Sequence, residues 1–178
     1  MTTLFIAEKP SMARELARCL PPPQQRGNGF IRTGGGIVTW AYGHVLQQAE
    51  PQDYDGRYKT WRAEDLPIIP QTWKLLVSPA SKDQFRIICQ LIEQADTLVN
   101  AGDPDREGQL LIDEILDYIG NTKPVRRILL NALDEKSIHE SLADLRDNGD
   151  FRHPQPGRLA HRYEPVPGVH PGGPPAGA

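Results

Sequence analysis

Asp103, Asp105 and Glu107 stand at alternate positions in the stretch "AGDPDREGQ", Ala101 to Gln109. Three ionised carboxylates about 5 Å apart would cost about 3 kcal/mol per pair at an effective dielectric near 20. A chain that keeps them charged needs either a cation among them or open water around them. Oxygen ligands of this kind suit Mg²⁺, which takes one or two carboxylates and completes its octahedron with waters and phosphate oxygens. The spacing projects Asp103 and Asp105 the same way from an extended turn, with Glu107 beginning the helix beside them. A plain strand-to-helix turn uses the same residues: Pro104 fixes a torsion, Asp105 caps the helix, and Glu107 favours its N-terminal dipole. Gly102 and Gly108 flank the acids and would let a bulky substrate approach the backbone.

A second acid follows another buried-type strand. In "AEKPS", Glu8 and Lys9 leave the end of "TLFIA". Such a pair is commonly a solvated turn. Set beside the acidic turn, Glu8 becomes a fourth carboxylate, and crowding of this kind raises a carboxyl pKa into the range of a general acid or base. Lys9 could stabilise charge on a phosphate oxygen.

These residues need a scaffold that brings two strand ends together. Thr3–Ala7 reads as a buried strand and Ser11–Leu20 as an amphipathic helix opened by a Ser cap. "FIRTGGGIVTW" reads as a hairpin pairing Phe30–Thr33 with Ile37–Trp40. Further strands are predicted at Trp73–Ser78, Thr97–Ala101 and Val125–Asn131, and helices at Ser81–Ala95, Gly108–Gly120 and Asp134–Asn148. Alternating strands and helices imply right-handed crossovers and a mostly parallel α/β sheet, whose sites form at the carboxyl ends of the strands. Both acidic turns leave such ends.

Composition limits the alternatives. The 178 residues suffice for one self-supporting domain, and the formal charge of −3 argues against a general nucleic-acid-coating protein. It leaves room for an enzyme that meets DNA through a local basic strip. No apolar run approaches the roughly 20 residues needed to cross a bilayer. The start, "MTTLFIAEKPS", does not read as a signal peptide, so the expected location is the cytoplasm. Cys19 and Cys89 have no metal-like spacing and read as reduced, buried thiols. The character of the chain changes after Arg152. Residues 153–178 hold seven Pro and five Gly, a composition that predicts disorder and marks 1–152 as the domain.

Two further stretches could touch nucleic acid. "YDGRYKTWR", Tyr54 to Arg62, interleaves aromatics with Arg57, Lys59 and Arg62, and with Trp61 suits stacking on bases while contacting phosphates. Equally, its aromatics could pack on the domain. His44, in "YGHV", could orient a phosphate or serve as a hydrogen-bonded structural histidine. "TGGGIVT" lacks a full dinucleotide fingerprint and a Walker lysine, so it reads as a hairpin turn.

A Glu after the first strand followed later by DxDxE resembles the signature of the Toprim domain, shared by type IA and type II topoisomerases, primases and some nucleases. Glu8 and Asp103-Pro-Asp105-Arg-Glu107 carry it. The stretches "LFIAEKPSMARELA", "GFIRTGGGIVTWAYGHVLQQAEPQDYD", "YKTWRAEDLPIIPQTWKL" and "VNAGDPDREGQLLIDEIL" extend the likeness to type IA topoisomerases of the topoisomerase III kind, over residues 1 to about 150. The resemblance implies a Rossmann-like Toprim fold, a mostly parallel sheet flanked by helices with a β-hairpin insertion. It implies Mg²⁺ at Asp103, Asp105 and Glu107, Glu8 as the acid/base carboxylate, and Lys9 steadying the scissile phosphate. His44, Arg57, Lys59, Trp61 and Arg106 are the candidates for contact with single-stranded DNA. The implied reaction is ATP-independent breakage, passage and rejoining of single-stranded DNA through a 5′-phosphotyrosyl link.

No tyrosine of this sequence matches the nucleophile of that family. Tyr42, Tyr54, Tyr58 and Tyr118 lie inside the Toprim-like region, and Tyr163 lies in the Pro/Gly-rich segment. The chain is therefore expected to be incomplete for strand passage and to be normally continuous with further topoisomerase domains. The composition of 153–178 fits a GC-rich gene read out of frame. The competing readings are a stand-alone Mg²⁺-dependent Toprim nuclease, a primase-like nucleotidyl transferase, and a non-catalytic DNA-binding module.

Overall fold

The structure is a computed structural model that describes residues 1–60, 62–70 and 74–152. The expected disordered segment 153–178 and the candidate Trp61 lie outside the described residues, as does Trp73 at the start of a predicted strand.

Each chain segment forms what its periodicity allows. Strand β1 (Thr3–Ala7) alternates Leu4 and Ile6 toward one face with Phe5 and Ala7 toward the other, and both faces are buried. Helix α1 (Pro10–Cys19) starts with Pro10 in its first turn, after Lys9. The predicted Ser11 cap is therefore replaced by proline, whose fixed φ suits a helix start and whose missing N–H costs nothing there. Strands β2 (Gln25–Gly27), β3 (Phe30–Thr33) and β4 (Gly36–Trp40) follow as an antiparallel series. The predicted hairpin is β3–β4. Next come β5 (Leu46–Gln48), the short helix α2 (Pro51–Tyr54) and β6 (Leu75–Val77), with β5 and β6 forming their own two-stranded sheet. The second half runs α3 (Lys82–Gln94), β7 (Thr97–Ala101), α4 (Arg106–Tyr118), β8 (Val125–Arg127), α5 (Glu135–Ala143) and β9 (Arg146–Asp147).

The main sheet has seven strands in the order β2-β3-β4-β1-β7-β8-β9. Its four central strands, β4, β1, β7 and β8, run parallel, and the edges are antiparallel. On one face, Phe85, Ile88, Leu91 and Ile92 of α3 and Leu111, Ile112, Ile115 and Leu116 of α4 cover Leu4, Ile6, Ile37 and Leu98. On the other, Met12, Ala13, Leu16 and Ala17 of α1 and Ile138 of α5 cover Phe5, Val38, Val99 and Ala101. Each fully buried Leu or Ile contributes about 1.5–3 kcal/mol of transfer free energy, so the two apolar layers hold the sheet between them.

The path from β1 to β4 moves one way across the sheet with α1 on one face. From β7 to β8 it moves the other way with α4 on the opposite face. The two crossovers therefore share one hand, as the near-universal right-handed rule requires. Strands β1 and β7 flank the point where the direction reverses, and ligands of open α/β sheets bind outside the carboxyl ends of strands at such a point. Several predicted elements are shorter than expected. The strand predicted to reach Asn131 ends at Arg127, and the helix predicted to reach Asn148 ends at Ala143, because the chain turns back to add β9 against β8.

Candidate functional site

Ala7 and Ala101 are register partners at the ends of β1 and β7, so Glu8 and Gly102 leave the sheet side by side. From there the two predicted motifs meet. Lys9 Nζ donates to Asp103 Oδ2 at 2.8 Å, and the Asp103 backbone N–H donates to Glu8 Oε2 at 3.2 Å. The end of β4 joins them: the Ala41 N–H donates to Ala7 O at 2.8 Å and the Gly43 N–H to Glu8 O at 3.3 Å. Gly43 has a positive φ of 72°, which turns the chain so that His44 follows at the rim. His44 Nε2 lies 3.4 Å from Glu107 Oε1. Glu8, Lys9, His44, Asp103, Asp105 and Glu107 thus come from three strand ends to one edge of the sheet.

The three acids of the turn take three different partners. Asp103 faces Lys9, Asp105 caps α4 by accepting the Gly108 N–H at 2.7 Å, and Glu107 is three-quarters exposed with His44 beside it. The capping role foreseen for Asp105 as a plain turn residue is therefore realised. Among the described residues, no three His, Cys, Asp or Glu side chains converge into a ready-made cation cage. The donor set nonetheless fits a hard cation: only oxygen and one imidazole are offered, on an exposed turn that water can reach, and Mg²⁺ keeps several waters. The hydrogen bond to Asp103 raises the Lys9 ammonium pKa above its ordinary value, and the charges of Asp103, Glu8 and Asp105 add to this.

The glycines serve another purpose than the one expected of them. A Cβ on Gly102 would stand 2.2 Å from Gly108 O, and one on Gly108 would stand 2.4 Å from Asp103 N and 2.5 Å from Asp103 O. They let the acidic turn press against the first turn of α4. Substrate access is not what requires them.

Beneath the turn lies a residue that the sequence reading passed over. Arg127, at the end of β8, is 1% exposed, and its guanidinium reaches Asn100 Oδ1 at 2.9 Å, Asn100 O at 3.2 Å, Gly102 O at 3.0 Å and Asp103 O at 2.6 Å. Burial lowers its pKa, opposed chiefly by the charges of Asp113, Asp105 and Asp103. No local signal marked it: "VRRILLN" reads as a strand with two arginines, of which Arg126 is exposed and Arg127 buried, and only partners on β7 decide which. Next to it, Gln109, Asp113 and Asn148 form a buried network, with Asn148 Nδ2 donating to Asp113 Oδ1 at 2.7 Å.

Among the described nucleic-acid candidates, only His44 and Arg106, the first residue of α4, lie at this site. Arg57 is engaged locally: it stacks over the Tyr58 ring at 4.6 Å, hydrogen-bonds the Tyr58 hydroxyl and pairs with Asp55. Tyr54 packs in the same manner, its hydroxyl accepting the Lys74 N–H at 2.8 Å. Lys59 is exposed at the end of the turn Gly56–Lys59. Cys89 is buried as expected, while Cys19 is only half-buried.

The Toprim domain family matches residues 3–133. DNA topoisomerase 3 of Haemophilus influenzae is 50% identical over 153 residues, and that of Salmonella typhimurium 47%. Each alignment covers 83% of this chain, which spans 24% of the length of those relatives. DNA topoisomerase 3 of Staphylococcus aureus is 40% identical over 85% of this chain. Among solved structures, full-length topoisomerase I from Thermotoga maritima matches with a TM-score of 0.50 and 15% identity, covering 81% of this chain and 21% of that one. That likeness concerns the fold alone.

Proposed function

This chain belongs to the Toprim-domain family, and on that premise we propose that it is the acidic, metal-holding part of a type IA DNA topoisomerase of the topoisomerase III kind. The observation that carries the reading is the meeting of Glu8, Lys9 and Asp103 across the paired ends of β1 and β7. Asp103, Asp105 and Glu107 would hold Mg²⁺. When bound, the ion supplies neutralisation of charge on a phosphate oxygen.

The chain's own residues then divide the work. Lys9 is nearly half exposed and offers N–H donors that Asp103 does not use, so its ammonium can meet a phosphate oxygen beside the acidic turn. Glu8 holds the Asp103 backbone with one oxygen and keeps the other for a proton. His44 stands at the rim, where a donor can steady a phosphate while Glu107 keeps the ring oriented. The substrate is single-stranded DNA, and the nucleophilic tyrosine is supplied by further topoisomerase domains with which such a chain is continuous. Among the described residues no helix is long and apolar enough to cross a membrane, and a DNA substrate places the protein in the cytoplasm.

The test is a calorimetric Mg²⁺ titration of the full chain and its Asp103→Asn variant, with anisotropy of a labelled single-stranded oligonucleotide. Binding of Mg²⁺ that weakens at least tenfold in Asp103→Asn, with oligonucleotide binding and no plasmid relaxation by the chain alone, upholds the reading. Mg²⁺-dependent nicking that Asp103→Asn abolishes would make the chain a nuclease instead. Absence of both metal and DNA binding would leave a non-catalytic module.

A further inference from the structure

We propose that Arg127 is the positioning residue of the acidic turn, holding its backbone from beneath so that the carboxylates of Asp103, Asp105 and Glu107 are presented together on the outer side. The inference rests on the metal-site reading of the turn and adds to it a residue outside the DxDxE stretch.

The geometry is specific to a guanidinium. Arg127 sits on β8 opposite Asn100 of β7, one strand away from the turn it serves. Its Nη1 donates to Asn100 Oδ1, Asn100 O and Gly102 O, and its Nη2 to Asp103 O. Asn100 Oδ1 also accepts the Gly102 N–H at 3.0 Å, so the amide and the guanidinium grip the first residues of the turn from both sides. The carbonyls of Gly102 and Asp103 thereby gain donors, and the peptide planes that follow these two residues are fixed. The Asp103 N–H is in turn fixed by Glu8. With the backbone held by Arg127, Asn100 and Glu8, the Asp103 side chain is left only the outward direction, where Lys9 meets it.

Charge gives the same residue a second part in the site. A buried cation persists only where anions and acceptors surround it, and the acids around Arg127 are Asp113 below and Asp105, Asp103 and Glu8 above. The turn is thus balanced from two sides, by Lys9 from solvent and by Arg127 from the interior. This is how four acids coexist at one sheet edge before any divalent ion arrives. A lysine at position 127 would keep the charge but would lose the planar fork that spans several carbonyls at once.

The experiment compares wild type, Arg127→Lys and a control, Ile138→Ala, whose buried side chain on α5 packs in the apolar layer on the α1 side of the sheet. Thermal melts establish folding. Mg²⁺ affinity is read by calorimetry and, without metal, hydrogen exchange is read at the amides of Gly102, Asp103 and Gly108. Expected for Arg127→Lys is a loss of about 10- to 100-fold in Mg²⁺ affinity, the usual effect of losing an outer partner of a metal ligand. Exchange should accelerate at Gly102 and Asp103 more than in the sheet. The control should lose stability but keep its Mg²⁺ affinity. If Arg127→Lys does not fold, Asn100→Ser, which removes one acceptor and leaves the guanidinium, is read by the same two measurements. Mg²⁺ affinity within twofold of wild type together with uniform exchange would overturn the proposal and leave the metal reading standing. If wild type takes up no Mg²⁺, the metal reading fails, and exchange alone decides: selective acceleration at the turn upholds the positioning role, and uniform exchange overturns it.

Discussion

Lys9 Nζ donates to Asp103 Oδ2 at 2.8 Å across a sequence separation of 94 residues. The contact exists because β1 and β7 are neighbouring parallel strands in register, so that two turns remote in sequence emerge together. It also means that the carboxylate best placed to hold a cation already has one. A metal ion arriving at Asp103 must share it with the ammonium or displace it.

Removing that ammonium should therefore strengthen metal binding while weakening contact with DNA. In Lys9→Met, Mg²⁺ affinity is expected to rise by about 1 kcal/mol, about fivefold, a modest figure because the pair is partly exposed and screened. The salt dependence of single-stranded oligonucleotide binding should fall by about 0.7 in the slope of log K against log salt, the value of one lost phosphate contact. Calorimetry and anisotropy at several salt concentrations measure the two effects. Unchanged metal affinity would mean that Lys9 and the ion do not compete.

Asp105 caps α4 in the structure and is proposed to hold the metal, two duties that substitution can separate. As the cap of α4 it needs only an acceptor oxygen for the Gly108 N–H; as a metal ligand it needs its charge. Asp105→Asn keeps the cap and should melt within a degree or two of wild type, roughly as asparagine and aspartate cap equally well. Asp105→Ala should lose about 1 kcal/mol of stability. Both should weaken Mg²⁺ binding. If Asp105→Asn binds Mg²⁺ as wild type does, Asp105 is a cap alone.

The contrast between Asp105 and Arg127 shows what the sequence discloses. The strand–helix order, the β3–β4 hairpin and both acidic strand ends were legible because alternation, glycine turns and caps act over a few residues. The family likeness was legible for the same reason, in contiguous motifs. What stayed hidden depends on partners far along the chain. Arg127 is defined by carbonyls of β7 and its turn, which no local pattern reveals. The shortness of β8 and α5 follows from β9 folding back, and β2 forms in a proline-rich stretch only because β3 offers it an edge. Gly102 and Gly108 looked like access points because the close approach they permit, between the acidic turn and the first turn of α4, involves backbone that only the fold brings together.

That close approach makes Gly108 intolerant of any side chain. A methyl group there meets backbone atoms of Asp103, which cannot swing aside as a side chain would. Gly108→Ala should cost about 1–3 kcal/mol in urea unfolding, the usual range for overpacking. Gly43→Ala is the comparison. Its Cβ would meet nothing within 4 Å, so only the strain at a φ of 72° remains, about 1–2 kcal/mol. The two should differ in Mg²⁺ affinity, with Gly108→Ala weakening it by displacing the acidic turn. Equal metal affinity in both variants would show that the turn tolerates the shift.

Alkaline pH should expose the cost of Cys89's position. Its thiol lies among Phe85, Ile88 and Ile92 in the apolar layer, and desolvation pushes its pKa from 9.0 up to about 12, with the charge of Glu93 adding to the effect. The folded protein therefore favours the neutral thiol, and the native state holds the proton that the unfolded chain releases. The resulting stabilisation is fully present below about pH 9 and is lost as pH rises toward 12, on the order of 4 kcal/mol across the whole interval. Other alkaline groups titrate in the same range, so the difference from a variant is what isolates this one. Cys89→Ala should be less stable than wild type at pH 8 through lost packing, and that deficit should shrink by about 2 kcal/mol at pH 10.5. Urea unfolding of both proteins at the two pH values, in reducing buffer, gives the comparison. Parallel loss of stability in the two proteins would mean that the Cys89 thiol ionises in the native state as readily as in the unfolded chain.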